Sequence, residues 1–410
     1  MICRFCSKTI NYVFADLGNT AISNAFITKD QLNDAELIYP LKVFVCDNCF
    51  LVQVEQYKKS EEIFSSDYVY FSSVSDSWLK HSKCYVEKMI PKFGLSQNSL
   101  VIEIASNDGY LLQYFKERNI PCLGIEPTKS TAQVAIEKGI ETIIDFFDER
   151  LAKKLAKEGR KSDLIIGNNV LAHVPELNDF VRGLKIILKP EGILTFEFPH
   201  LMKLISNGQF DTIYHEHFSY FSFYFICKLF RFHGFEVFDV EELETHGGSL
   251  RIYAKHKENE KVSIEGAVRE LIKTELEAGI KKMSFYDGFH EKINEIKNRF
   301  LLYILNEKMK RKQIIAFGAA AKGNTFINYL GLKADTIECV VDDTPFKQGK
   351  YLPQSHIPVV SREYFDNNHP DIIVIIPWNF KKEIIDKLKF AAAWGAVFVT
   401  YIPQLEIGLL

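Results

Sequence analysis

The 410-residue chain has no apolar run approaching the ~20 residues of a membrane span, so a bilayer is not an expected environment. It also lacks any surplus of positive charge. Its 50 Lys and Arg stand against 53 Asp and Glu, a formal net charge of -3. A general nucleic-acid binder needs a basic excess to neutralise phosphates, so nucleic acid is not an expected partner. The opening Met1-Ile2-Cys3-Arg4 has no basic-then-apolar secretory pattern, which makes the cytoplasm the expected compartment. Internal repeats and low-complexity tracts are missing as well. Core-forming surface is not missing: 33 Phe and 18 Tyr exclude a disordered chain. The length suggests roughly two or three domains.

Cysteine is sparse but patterned. Cys84, Cys122, Cys227 and Cys339 stand alone, whereas Cys3/Cys6 and Cys46/Cys49 form two Cys-x-x-Cys pairs. In a reducing compartment these are not expected to be disulfides. Two such pairs can place four thiolates in a tetrahedron around Zn2+, and the long gap between them closes at modest entropic cost. Four sulfurs leave no open coordination position, so the expected zinc is structural. A zinc ribbon that reads nucleic acid is the rival, and the acidic balance disfavours it.

Four zones separate along the chain. Residues 1–65 carry the Cys pairs, and 66–257 alternate short apolar runs with helical stretches. Residues 258–312 carry Glu265, Arg269, Lys273, Glu277 and Lys281 at helical spacing, a solvated connector. Residues 313–410 return to apolar runs. In the second zone Leu100–Ile104, Cys122–Ile125, Asp163–Ile166 and Gly192–Phe198 read as strands, and Gly109–Arg118 and Leu177–Leu188 as helices. Strand and helix alternate, so a parallel, doubly wound sheet is expected. The last zone repeats the pattern. Gln313–Phe317, Ile337–Val341, Asp371–Ile376 and Val397–Tyr401 read as strands of a second, smaller α/β unit.

The first strand of the central zone runs into Glu103-Ile-Ala-Ser-Asn-Asp-Gly109. A turn that leaves a strand and approaches a ligand wants small residues. Only Gly109 remains of a Gly-x-Gly-x-Gly pattern, with Ala105 and Asn107 in the other places. Glu126 closes the next strand, where a carboxylate suits a ribose diol. The short loop favours S-adenosylmethionine (SAM) over a dinucleotide. Asp145, with Phe146 beside it, either accepts from the adenine amine or caps a helix. Asn168 to His173 follow the fourth strand and face the same edge of the sheet. His246-Gly-Gly-Ser-Leu-Arg251 offers Ser249 and Arg251 to a phosphate or sugar. Gly318-Ala-Ala-Ala-Lys-Gly323 can cradle a diphosphate with Lys322 assisting, or be a plain small-residue turn.

The densest cluster is Tyr214-His215-Glu216-His217, followed by Phe-Ser-Tyr-Phe-Ser222. In an extended segment His215 and His217 share one face, and Tyr214 and Glu216 the other. In a turn all four can converge. Three local ligands make a poor metal site, whereas imidazole beside phenol and carboxylate suits proton transfer.

Taken together, the motifs resemble the nucleotide-sugar C-methyltransferases of deoxysugar pathways over essentially the whole chain. The carriers are the two Cys pairs, Tyr39-Pro-Leu-Lys42, Asp67-Tyr-Val-Tyr-Phe-Ser-Ser73, the 103–109 loop, Asn168–His173, Tyr214–His217, His246–Arg251, Gly318–Gly323 and Lys347-Gln-Gly349. Ala105 departs from the commoner Gly. The resemblance implies a small N-terminal zinc lobe, a central Rossmann-like SAM domain and a C-terminal Rossmann-like domain that helps hold the nucleotide-sugar. It implies His217 as general base, with Tyr214, Glu216, His173 and Tyr68 lining the cleft. SAM would meet Glu103, Ala105, Asn107, Gly109, Glu126, Asp145, Phe146 and Asn168. The substrate would meet His215, Tyr70, Ser249, Arg251 and Lys322. The implied substrate is a thymidine-diphosphate 4-keto-6-deoxy sugar, methylated beside its ketone, and the assembly a monomer or small homo-oligomer. In that chemistry His217 removes the alpha proton, Glu216 steadies the imidazolium, and Tyr214 or His173 donates to the enolate oxygen. Sugar O-methylation, a non-catalytic zinc-ribbon SAM module and a nicotinamide oxidoreductase are the alternatives.

Overall fold

A computed structural model describes residues 1–63 and 71–408. Tyr68 and Tyr70 lie outside the described residues. Three sheets organise the chain. The first is antiparallel, in the order Tyr12–Thr20, Tyr39–Val45, Val52–Val54 and Ser219–Tyr220. Alternate residues of its second strand, Leu41, Val43 and Val45, are fully buried, the period-2 pattern of a sheet with one dry face. Its fourth strand does not belong to the N-terminal zone. It is the short segment just after His217, paired through Val52 with Tyr220 and Gln53 with Ser219.

The central sheet runs Phe235–Leu243, Ser249–His256, Leu188–Pro199, Ser162–Asn168, Val101–Ile104, Cys122–Ile125, Thr142–Ile143. It is parallel except for Ser249–His256, which runs against both of its neighbours. That corrects the all-parallel expectation. The connection 244–248 is too short for a crossover, which needs a dozen or more residues, so the chain makes a hairpin. Helix Leu177–Ile187 buries Leu177, Phe180, Val181, Leu184 and Ile187 on one face, as their spacing dictates.

The third sheet, in the order Val359–Val360, Val340–Val341, Ile314–Phe317, Ile372–Ile375, Val397–Thr400 and Glu406–Gly408, is parallel except at its last strand. The strand expected over Ile337–Val341 is only Val340–Val341.

Connector helices Gly266–Ala278 and Phe289–Met309 are more than solvated spacers. Ile293, Ile296, Phe300 and Ile304 enter a core that also holds Val43, Val54, Ile213, Tyr220, Phe326 and Tyr401. One apolar cluster thus welds the N-terminal sheet, the segment around His217 and the C-terminal domain. Glu275 is fully buried. It accepts from the Phe223 and Tyr224 amides at 2.8 and 2.6 Å, the orphan donors that open helix Phe223–Phe232, and meets His200 Nε2 at 2.7 Å. Replacing Glu275 with Ala strands those buried donors, each costing about 1–3 kcal/mol. We expect Glu275→Ala to lose about 3 kcal/mol or more of stability, read as a lower urea midpoint.

Candidate active site

The four cysteines of the N-terminal lobe converge. Cys3 and Cys49 Sγ are 3.5 Å apart, as are Cys6 and Cys46, and all four ligand atoms lie within 4.8 Å of one another. A tetrahedron with ~2.3 Å zinc–sulfur bonds has edges of about 3.8 Å, so the donor set and its spacing fit zinc. Gln53 Nε2 donates to Cys3 Sγ at 3.3 Å, supporting a thiolate from outside the first ring of ligands. The lobe also grips the segment after His217. Arg4 Nε donates to the Phe218 carbonyl at 3.3 Å, and so does the Val54 amide at 3.0 Å.

At the C-terminal edge of strand Val101–Ile104 the chain turns through Ala105, Asn107 and Gly109, all in left-handed conformation (φ 56, 49 and 74°). Glycine suits position 109, where a Cβ would sit 2.4 Å from Ile140 Cδ1 and force that side chain to move. Glu126 holds the turn, accepting from the Asn107 amide through one oxygen and the Thr128 amide through the other, both at 2.9 Å. The Thr128 and Thr131 side chains also hydrogen-bond this carboxylate. Asp108 is buried, and its Oδ1 has no partner among the described residues. The Asn107 side chain accepts from the Ser72 amide at 2.9 Å. Glu103 is fully buried in the strand, and burial raises its pKa well above the carboxylate range. Asn168 ends the neighbouring strand, and its amide is buried. Asp145 pairs with Arg150 at 2.8 Å, beside half-buried Phe146, and the helix cap is Asp148, which accepts from the Leu151 amide. This small-residue turn, with its buried acceptors and a carboxylate on the next strand, fits the SAM nucleoside.

Residues 214–217 form a turn rather than an extended strand, with the His217 amide on the Tyr214 carbonyl at 2.9 Å. Tyr214 and His217 therefore share a face, contrary to the extended reading. The Tyr214 hydroxyl lies 2.7 Å from His217 Nε2, and His217 Nδ1 lies 2.8 Å from the Thr212 carbonyl. A carbonyl only accepts, so Nδ1 carries the hydrogen. Nε2 then holds the lone pair, and the phenol donates to it. Burial, and then the neighbouring His173, hold the His217 pKa well below its ordinary value. His173, with ring centres 4.7 Å apart, donates from Nδ1 to the Glu216 carbonyl at 2.7 Å, and burial pulls it down to about 4.

Four expected members sit elsewhere. The Glu216 carboxyl turns away from His217 and accepts from Asn24 at 3.2 Å, and burial pushes it up to about 7. His215 donates to the Pro40 carbonyl at 3.1 Å and packs between Tyr39 and Tyr57, inside the zinc lobe. Ser249 is buried with its hydroxyl on the Thr245 carbonyl at 2.9 Å. Arg251 is no open anion grip. Its Nε donates to Glu197 at 2.7 Å and Nη1 to Glu241 at 3.2 Å, in a buried network with His81. The reason is common to all four: a residue next to a site in sequence points opposite to it once a turn or strand sets its face.

Asn169 and His246 lie within two of the motifs named above, but the sequence reading gives neither a role of its own. Both are non-glycine residues in left-handed conformation (φ 55°), and Asn169 Nδ2 donates to His246 Nε2 at 3.1 Å. Strain of this kind gathers at functional sites, but nothing in the sequence pattern announces it. Lys322 does arrive. Its ammonium lies 4.6 Å from the centre of the Trp378 ring, whose indole donates to Asp211, the residue before Thr212.

A zinc lobe braced against a SAM crevice, with an uncharged tyrosine–histidine pair beside it, defines a zinc-containing, SAM-dependent methyltransferase. Three family profiles match the chain: a zinc binding domain over residues 3–64, a methyltransferase domain over 78–240 and a C-methyltransferase C-terminal domain over 244–403. C-methyltransferase NovU of Streptomyces niveus is 31% identical over 405 residues, 99% of this chain and 96% of its own. Ubiquinone biosynthesis O-methyltransferase of Bartonella tribocorum is 26% identical over 98 residues, 24% of this chain and 40% of its own. Among solved structures, the PH0226 protein of Pyrococcus horikoshii aligns over 49% of this chain and 100% of its own, at 16% identity and a TM-score of 0.38. The chain belongs to the C-methyltransferase family. No helix among the described residues is long and apolar enough to cross a membrane.

Ala105 in a left-handed conformation is strained, at a cost of roughly 1–2 kcal/mol that glycine avoids. We expect Ala105→Gly to raise stability by about 0.5–1 kcal/mol, seen as a higher melting temperature. Cys46→Ser should remove the zinc on metal analysis and lower methyl transfer by about 10–100-fold, because the lobe's sheet ends on the strand after His217. A metal-free preparation with full activity and unchanged melting would refute that link.

Proposed function

We propose that the chain transfers the methyl group of SAM to the carbon beside the ketone of a nucleotide-linked 4-keto-6-deoxy sugar, with C3 as the methylated position and thymidine diphosphate as the carrier. The observation that carries this reading is the hydrogen-bonded Tyr214–His217 pair, a neutral base with a fixed tautomer. Carbon attacks a sulfonium methyl only after losing a proton, and a neighbouring ketone makes that proton acidic. O-methylation does not need an acidic carbon. When bound, SAM supplies the electrophilic methyl, and every other requirement falls to the chain.

The proton leaves carbon for the Tyr214 oxygen as the Tyr214 proton passes to His217 Nε2. The imidazolium that forms then donates at both nitrogens, to Tyr214 and to the Thr212 carbonyl. The stabilising role expected of the Glu216 carboxylate passes to that carbonyl. His173, with its hydrogen spent on the Glu216 carbonyl, has no proton to offer an enolate oxygen while it is neutral. Glu126 would hold the SAM ribose, with Asn107, Gly109, Glu103, Asp145, Phe146 and Asn168 around it. The Gly318–Gly323 turn opens helix Ala321–Leu330, whose first amides offer a grip for the diphosphate.

The test is deuterium exchange at the alpha carbon of a thymidine-diphosphate 4-keto-6-deoxy sugar in D2O, with S-adenosylhomocysteine in place of SAM. Exchange is expected, and His217→Ala should slow it by about 10²–10⁴-fold while SAM binding in a titration is kept. Because His217 is held neutral, the acid limb of kcat/KM should fall well below the ~6.5 of an ordinary imidazole. A ternary complex that never exchanges, or full activity in His217→Ala, would sink the proposal.

A further inference from the structure

Enolate formation needs a cation or donor at the oxygen that gathers charge. The two expected donors are engaged: Tyr214 donates to His217, and His173 donates to the Glu216 carbonyl. The C-terminal domain brings a cation, Lys322, to the loop that leads into this base. Lys322 Nζ lies 2.7 Å from Asn379 Oδ1 and 4.6 Å from the centre of the Trp378 ring. The Trp378 indole donates to Asp211 Oδ2 at 2.7 Å, and the Tyr401 hydroxyl to the same oxygen at 2.9 Å. Asp211 is fully buried, and its Oδ1 has no partner among the described residues. The residue after Asp211 is Thr212, whose carbonyl holds His217. On the helix of Lys322, Thr325 donates its hydroxyl to the Ile213 carbonyl at 2.8 Å. The lysine and the base loop are therefore locked together across the domain boundary, through a buried carboxylate on one side and a hydroxyl on the other.

We propose that Lys322 is a catalytic residue whose ammonium stabilises the enolate oxygen of the methyl acceptor, and that Asp211 is a positioning residue that aims this cation through the Trp378 indole it holds. The proposal rests on the C-methylation reading above. As the alpha C–H bond breaks, its proton goes to the Tyr214–His217 pair and its electrons form the enolate double bond. The carbonyl π pair moves onto oxygen, where Lys322 holds it without giving up a proton. The pair returns as the carbon–methyl bond forms, the methyl–sulfur bond breaks with its electrons on sulfur, and the ketone is restored. No oxidant or reductant is involved. Lys322 touches Asn379 and Trp378, and the titratable groups coupled to its charge are Asp211, His217 and His246. Burial pulls the lysine pKa down and Asp211 opposes it, and the neutral imidazoles spare it a like charge.

The same exchange assay tests this, with Lys322→Gln, Lys322→Met and Asp211→Asn beside the parent. Lys322→Met keeps an apolar stem over Trp378 if Gln disturbs folding, and SAM titration reports an intact site. We expect both Lys322 variants to lower exchange and kcat by at least about 100-fold, with the KM for sugar nucleotide and the Kd for SAM within about threefold. Asp211→Asn should move the alkaline limb of kcat to lower pH, since removing the carboxylate lets the ammonium deprotonate sooner. Unchanged exchange with a raised KM in the Lys322 variants would make the lysine a diphosphate contact and overturn the proposal alone. Absent exchange in the parent would overturn the C-methylation reading, and this proposal with it.

Discussion

One imidazole held at both nitrogens is the constraint on which the rest of the molecule depends. The Thr212 carbonyl places the hydrogen of His217 on Nδ1, and the Tyr214 hydroxyl meets the lone pair on Nε2. Neither bond survives if the turn 214–217 shifts by an ångström, so each structural unit contributes a restraint to that turn. The zinc lobe pairs its last strand with Ser219–Tyr220 and sends Arg4 to the Phe218 carbonyl. The C-terminal domain fixes the other end through Thr325 on the Ile213 carbonyl and through Trp378 and Tyr401 on Asp211. The connector supplies Glu275, which caps the helix that follows. Zinc thus acts at a distance from the chemistry, as a rivet in a sheet whose outermost strand adjoins the base.

The electrostatics follow a consistent rule. Burial shifts the titratable groups around the base toward their uncharged forms: His217, His173 and His246 lie below the ordinary imidazole value, and the Glu216 carboxyl, held by Asn24, is raised to about 7. Charges that persist inside are paired. Burial alone would raise Glu197, but hydrogen bonds from His81 and Arg251 hold it below the usual carboxylate value. A neutral base next to a neutral imidazole costs little to maintain in a low-dielectric cavity, whereas two imidazolium ions with ring centres 4.7 Å apart would repel strongly. The proton therefore has one place to go.

Much of this was legible in the residues. The Cys-x-x-Cys pairs announced the thiolate cluster because knuckle spacing is a local property. Helix Leu177–Ile187 and strand Cys122–Ile125 followed from periodicity. The failures share a different cause. Glu216 next to His217 suggested a carboxylate–imidazole pair, yet the turn sends the carboxyl to Asn24. Arg251 looked like a phosphate grip until the hairpin placed Glu197 beside it. Asn169 and His246 showed nothing of their contact, because their strained backbones are set by the packing around them.

By itself the sequence determined the class of chemistry: which groups could bind zinc, which turn could receive a nucleoside, and which cluster could move a proton. Those depend on residue type and short-range spacing, and both survive in an unfolded chain. The tertiary structure alone decided which nitrogen of His217 bears the hydrogen, which carboxylates are spent on ion pairs, and which domain sends a lysine towards the base. Those are matters of direction at ångström precision between segments far apart in the chain, and only the packed core holds them in place.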